Sequence, residues 1–236
     1  MNRIDPNPAF IQPHVTGPTA DLVTSLSQAI HEHRLMPGTK LGEDELSEIY
    51  NVSRTVVRAA LQALSHVDLV ELKRNRGAFV AKPTIREARE VFEARSLLES
   101  RTARSAAERM TEADLARLEA HIGAEHDALA RAEPGLALRL SGHFHIEISH
   151  IADQSTIAGF VERLVARSSL IIALYWKRES ALCEKHAHHA LLEAFRRRDG
   201  AEAEELMKSH LVDIVTALDL RDTPQSGASR RDMLRG

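Results

Sequence analysis

The chain has 236 residues, 43% hydrophobic and 28% charged, enough for one large domain or two small ones, each with its own core. A formal net charge of −3 excludes a global polycation that coats nucleic acid or anionic lipid, so any DNA contact must come from a local basic patch. Aromatic residues at 4% and only 11 glycines argue against a β-sandwich and for helices packed through Leu, Ile, Val and Ala.

Residues 1–18 read as an extended, flexible arm, punctuated by Pro6, Pro8, Pro13 and Pro18 and lacking the apolar centre of a signal peptide. From Thr19 the pattern turns helical, with Leu22, Val23, Leu26 and Ile30 recurring at spacings of three and four until Pro37-Gly38. Residues 43–50 predict a short helix with Leu46 and Ile49 inward. Ser53 is suited to cap a helix over 54–66, whose buried stripe is Val57, Leu61 and Leu64. Two strand candidates, 69–73 and 78–81, flank the turn-forming Arg74-Asn75-Arg76-Gly77, which predicts a β-hairpin that Pro83 closes. Small helices followed by a hairpin outline a winged helix-turn-helix over 19–82.

Beyond Pro83 the pattern is helical, in about six segments: 84–109, 112–132, 135–152, 156–178, 182–198 and 201–220. Thr111 and Ser155 are the predicted N-caps, and Pro134-Gly135 and Asp199-Gly200 the predicted breaks. The single Cys183 excludes an intramolecular disulfide framework, fits a reducing cytosol and is read as an ordinary helix residue. No apolar run approaches the roughly 18 residues of a membrane span. Residues 221–236 are polar and basic and are expected to be flexible. The expected fold is mainly α: an N-terminal winged helix-turn-helix, then an all-α bundle over 83–220.

In a helix-turn-helix the second helix lies in the major groove and its first turn meets base edges. Here that turn carries Ser53, Arg54, Thr55 and Arg58. Arginine can pair with guanine O6 and N7, and two arginines four apart share one helix face. Ser53, Thr55 and the backbone N–H groups at the helix start suit phosphate oxygens. The hairpin tip adds Lys73, Arg74, Arg76 and Gly77, placed for flanking phosphates or the minor groove. Taken alone, such residues solvate a helix face or form an ordinary polar turn. The order of the elements is what favours DNA.

Residues 37–80 resemble the DNA-binding domain of GntR-family bacterial transcription regulators. The matching pieces are Pro37-Gly38, Leu41, Glu45-Leu46, Val52-Ser53-Arg54-Thr55, Val57-Arg58, Leu61, Leu64, Leu69-Val70 and Arg76-Gly77-Ala78-Phe79-Val80. Val56 stands where the family often has proline, and His66-Val67-Asp68 lacks the glycine usual before the Leu-Val strand. The resemblance implies operator binding by a homodimer, with Arg54 and Arg58 on bases and Thr55 and the wing on the backbone. Asp44 falls where some members place a DNA-contacting basic residue, which is expected to weaken or redirect that contact.

Histidines are dense in the bundle. Ala137, Ser141, Phe144, His145, Ile148 and Ala152 share one stripe, so Ser141 and His145 point inward together. Met207, His210, Leu211, Ile214 and Leu218 form another apolar face, and His188 sits one turn before Leu191 and Leu192 at the edge of a third. Three imidazoles aimed at a bundle interior suit a divalent ion of the zinc or nickel kind. A core histidine bonded to a carbonyl has the same spacing, so periodicity leaves both open.

Residues 87–220 resemble the FCD effector-binding domain of the FadR-type branch of GntR regulators. The matching pieces are Glu93-Ala94-Arg95 with Leu98-Glu99, Phe144-His145, His188 with Leu192, Glu193, Ala194 and Asp199, then Ala203, Met207 and His210-Leu211. In metal-binding members three histidines join an aspartate four residues before the Phe-His histidine. Carried over, the histidines are His145, His188 and His210, and Ser141 stands at the aspartate's place. Losing that carboxylate predicts weaker metal binding, completed by water or by the effector's own carboxylate. Members often sense small organic acids. That implies Arg95 as a carboxylate clamp, although a pair with Glu99 one turn on is the alternative. Gln154 stands where many members have asparagine and joins Arg95 and Ser141 as an effector-binding candidate. His143, His150, His186 and His189 are expected to be solvated or to stand behind the ligands.

The function expected is a cytoplasmic, ligand-responsive repressor that binds double-stranded operator DNA as a homodimer and senses a small carboxylate, through a bound divalent metal. The alternative is a DNA-binding protein whose bundle only dimerises. A metal-dependent hydrolase is disfavoured: no nucleophile elbow, HExxH or phosphate loop occurs, and Glu147 points away from His145 on a helix.

Overall fold

In the computed structural model, residues 15–177 and 186–221 are described. The first fourteen residues of the predicted arm, Cys183 and all but the first residue of the predicted tail lie outside them.

The N-terminal region runs α1 (Pro18–His31), β1 (Lys40–Leu41), α2 (Glu43–Ile49), α3 (Arg54–His66), β2 (Val70–Lys73) and β3 (Gly77–Val80). Ser53 caps α3, its side chain accepting the backbone N–H of Val56, because an extended residue ahead of a helix can satisfy one of its orphan donors. The strands form an antiparallel sheet ordered β1-β3-β2, with Lys73 opposite Gly77. Gly77 has φ +90, which a side chain would strain. Asp68, shortly before β2 where the family usually has a glycine, adopts a left-handed conformation, φ 59, a region that Asp tolerates better than most residues.

Two expectations need correcting here. Ile49 is 65% exposed, because α2 is only two turns long and buries Leu46 alone. β1 was not foreseen, since two residues carry no alternating pattern; its neighbours are fixed instead by Gly38 N–H donating to Val80 and Val80 N–H donating to Thr39.

The remaining elements are α4 (Ile85–Arg109), α5 (Glu112–Ala130), α6 (Pro134–Ile151), α7 (Ser155–Tyr175), α8 (Ala187–Arg196) and α9 (Gly200–Thr216). Capping boxes start α4 at Thr84/Glu87 and α5 at Thr111/Asp114. Pro134 is the first residue of α6, where its missing N–H costs nothing. The N-cap of α7 is Gln154 and not Ser155, which is the first helical residue. Leu218 lies beyond the end of α9, where it forms a β-bridge with Trp176.

The bundle core is built from Phe144, Ile148, Leu191, Phe195, Met207 and Leu211, with Ala103, Ala106 and Ala107 letting α4 and α9 close on each other. The winged region does not close its core alone. Leu22, Leu26 and Ile30 of α1 and Leu61 and Leu64 of α3 form one cluster that also includes Ala166 and Leu170 of α7. Arg167 crosses the same junction, donating to the Asp68 carbonyl and to Glu87. No helix among the described residues is long and apolar enough to cross a membrane.

Candidate functional site

Two surfaces carry chemistry. On the first, Ser53, Arg54, Thr55 and Arg58 lie exposed along the first turns of α3, and Lys73, Arg74, Arg76 and Gly77 lie exposed at the hairpin. The two arginines do not stand alone. Arg54 Nε is 2.7 Å from Asp44 Oδ1, and Arg58 Nε donates to Glu43 Oε2 at 2.7 Å. The acidic start of α2 therefore faces the basic start of α3. At the wing, Lys73 pairs with Glu71 at 3.0 Å and its ammonium sits 5.1 Å from the Phe79 ring centre.

The second surface is internal. A chamber of about 740 Å³, open solvent included, lies among α4, α5, α6, α7, α8 and α9. Arg95, Glu125, Arg139, Ser141, His145, Trp176, His188 and His210 are among its lining residues. The helices supply the histidines one each: α6 brings His145, α8 His188 and α9 His210, all buried because each lies on an apolar stripe. The predicted histidines thus meet, with one ligand atom of each lying within 4.8 Å of the others. Ser141 lines the chamber one turn before His145. Gln154 is not among the lining residues. It is the N-cap residue of α7.

The carboxylates behind the histidines were not foreseen as members of the site. His145 Nδ1 lies 2.7 Å from Glu99 Oε2, and His188 Nδ1 lies 3.0 Å from Glu125 Oε2. Glu99 was legible as a matching piece of the FCD resemblance and as a partner of Arg95, and that pair exists, but buried rather than on the surface: the two side chains are 3% and 1% exposed. Arg95 donates through Nε and Nη2 to the two Glu99 oxygens at 2.6 and 3.2 Å, and through Nη1 to Ser168 Oγ at 3.0 Å. Glu125 gave no signal in sequence, and Arg139 gave a weak one, an arginine between Leu138 and Leu140.

Burial is the largest influence on these groups, and it acts in opposite directions on the two types. It holds His145 down to about 3, with Arg95 and His210 adding to the effect and Glu99 opposing it. For Glu99 burial raises the pKa, but Arg95 and His145 outweigh it and keep the carboxylate ionised. Glu125 is likewise lowered against its burial, by His188 first.

The donor set fits a divalent metal ion. A neutral imidazole whose Nδ1 faces a carboxylate presents the Nε2 lone pair, the form a metal requires. His188 Nε2 is buried with no hydrogen-bond partner, an orphaned acceptor or donor in a wall that can offer it a ligand. His145 and His210 bring their Nε2 atoms to 3.3 Å. That is about the edge of a tetrahedron drawn around zinc with bonds of ~2.0–2.1 Å.

Comparison with known proteins gives the same division of labour. Residues 18–80 match the model described as bacterial regulatory proteins, gntR family, and residues 90–213 match the FCD domain. The HTH-type transcriptional repressor RspR of Escherichia coli K12 is 30% identical over 183 residues, covering 76% of this chain and 79% of its own. The galactonate operon transcriptional repressor of the same strain is 30% identical over 215 residues, covering 79% and 90%. In fold the chain is similar to E. coli McbR/YncC, with a TM-score of 0.76 at 20% identity, over 86% of this chain and 97% of that one. With the winged region ahead of a helical FCD domain and relatives of this kind, the chain belongs to the GntR family of bacterial transcription regulators, DNA-binding proteins rather than enzymes, in the branch that carries an FCD domain.

Proposed function

We propose that this regulator is a repressor that binds operator DNA as a homodimer in the cytoplasm and responds to a small organic acid in the FCD chamber. In this reading residues 19–82 read DNA, residues 83–220 sense and dimerise, and 1–18 and 221–236 are flexible. The observation that carries it is the chamber itself, in which three buried imidazoles backed by two carboxylates share a wall with two arginines. Such a concentration of polar groups in a core serves binding, because burying them costs several kcal/mol that packing alone does not require. The names of two relatives, both repressors, one of them of a galactonate operon, agree with it.

Arg54 and Arg58 reach base edges in the major groove, while Ser53, Thr55, Lys73, Arg74, Arg76 and the Gly77 backbone hold phosphates. In the chamber His145, His188 and His210 would hold a divalent ion of the zinc or nickel kind. When bound, it supplies a Lewis-acidic point for a carboxylate oxygen. Glu99 and Glu125 hold the first two imidazoles in the required tautomer, and Ser141, where other members have aspartate, leaves the set without an anionic ligand. An acid's own carboxylate makes good that charge.

The effector acts only by binding one arrangement of the winged regions better than the other. The test uses a duplex selected from random sequence by the protein itself. Sodium acetate, succinate and D-gluconate are titrated at constant ionic strength. The expected result is that at least one acid changes the affinity for that duplex and that purified protein contains one equivalent of divalent metal. Duplex affinity indifferent to every acid, in protein without metal, overturns the reading.

A further inference from the structure

The arginine expected to clamp a carboxylate is not the one best placed to do so. Arg95 is held in bidentate fashion by Glu99 and by Ser168, so its charge is already balanced inside the wall. The second arginine lining the chamber is Arg139, 2% exposed, on α6. Its Nε donates to Glu32 Oε1 at 3.0 Å, and Glu32 is the C-cap of α1 in the winged region. One side chain therefore forms part of the chamber wall and also grips the DNA-binding half of the molecule.

The junction around this pair is tight. A Cβ added to Gly135 at the start of α6 would lie 2.4 Å from the Glu32 carbonyl oxygen, so only glycine lets the two backbones approach this closely. Ser169, another wall residue, donates to the His31 carbonyl, and its own carbonyl lies 3.0 Å from His33 Nε2. On its other side α1 packs through Leu26 and Ile30 against Leu61 and Leu64 of α3, the helix that carries Arg54 and Arg58. Glu32 can leave Arg139 without being stranded, since Gln28 and Arg34 each donate to it at 3.0 Å.

We propose that Arg139 reads the carboxylate of the effector, and that exchanging Glu32 for that carboxylate releases the end of α1. This rests on the effector reading above and adds to it the residue and the exchange. A guanidinium carries five donors in a rigid fork, so a carboxylate in the chamber competes with Glu32 for a single charge. Linkage then fixes opposite signs for the two partners: loss of Arg139 weakens acid binding, whereas loss of the Glu32 charge strengthens it.

Trp176 is the sole tryptophan and lines the chamber, so its emission reports occupancy. Sodium acetate, succinate and D-gluconate are titrated into wild type, Arg139→Gln, Arg139→Lys and Glu32→Gln, with thermal melting to check folding. For the acid that moves the wild-type emission, Arg139→Gln is expected to raise the dissociation constant by about tenfold or more, the scale of a lost charge-assisted hydrogen bond. Glu32→Gln is expected to lower it about threefold or more and to abolish the acid's effect on duplex binding. A Glu32→Gln constant equal to or weaker than wild type overturns the exchange even if Arg139→Gln does not fold, and wild-type binding by Arg139→Gln overturns the assignment. Arg139→Lys, which keeps the charge but loses the fork, is expected to fall between wild type and Arg139→Gln. Arg139→Lys binding tighter than wild type also overturns it. If no acid moves the wild type, the effector reading itself has failed and takes this proposal with it.

Discussion

Arg54 Nε, at the start of α3, lies 2.7 Å from Asp44 Oδ1 on the helix before it, and Arg58 repeats the arrangement with Glu43. All four side chains are exposed, at 63%, 73%, 66% and 37%, so these pairs contribute little to stability. Their consequence is for DNA. The Nε edge that faces the carboxylate is an edge a guanine or phosphate would otherwise use. Asp44→Asn and Glu43→Gln should therefore each tighten duplex binding by about two- to threefold, the scale of an exposed pair, with melting unchanged. Fluorescence anisotropy at two salt concentrations checks this, and weaker binding by either variant counts against it.

The arginines and the wing lysine should separate by kind of effect. Under the proposed DNA contacts Arg54→Ala or Arg58→Ala removes a base reader, so discrimination at one half-site position should fall by about 1–3 kcal/mol. Under the same proposal Lys73→Ala removes a phosphate contact and should weaken all sequences alike, lowering the salt slope by about one. Selection from random duplexes with each variant reads both. An unchanged preferred sequence in both arginine variants would falsify the recognition-helix assignment.

What the sequence disclosed of these surfaces follows from how far apart the interacting residues are. The winged region was legible because Ser53, the 54–66 stripe and the Arg-Asn-Arg-Gly turn are local patterns whose physics is complete within a few residues. His145, His188 and His210 were legible because each lies on an apolar helical stripe, and helical stripes meet in a bundle. Glu125 and Arg139 were not, because their partners lie 63 and 107 residues away and a charged residue on a helix looks solvated until its neighbours are known. The same distance hid the shared core: nothing in Ala166 or Leu170 of α7 announces that they close the cluster around α1.

The carboxylates behind the histidines give a graded prediction. The double variant His145→Ala with His210→Ala should lose bound metal while keeping its helical content, as elemental analysis and far-ultraviolet dichroism would show. Glu125→Gln keeps all three imidazoles but weakens the acceptor behind His188, so metal affinity should fall by about 10–100-fold. Metal affinity in Glu125→Gln equal to wild type would make Glu125 a mere packing partner.

Acid should unfold the protein through the junction as well as through the chamber. His31, at the end of α1, is fully buried and its pKa is pushed from 6.5 to about 3, by burial first, then by the Arg139 and His33 charges. Glu32 beside it is acidic, but its charge is spent on Gln28, Arg34 and Arg139. A histidine with a depressed folded-state pKa is neutral in the fold while the unfolded chain takes up a proton. The stability it allows is therefore complete above about 6.5 and is lost as the pH falls from there towards 3. Through that window the loss from this one group approaches about 1.4 kcal/mol per pH unit. Urea unfolding of wild type and His31→Gln at pH 7.5, 6.5, 5.5 and 4.5 isolates it, because titrating groups that do not interact with His31 contribute equally to both and cancel in the difference, leaving His31 and its coupling to the neighbouring His33. The wild type should lose about 1 kcal/mol more than the variant between pH 6.5 and 5.5, and slightly more than that over the next unit. Parallel curves would mean that His31 meets the proton in the folded state as readily as in the unfolded one, which a closed α1–α6 junction does not allow.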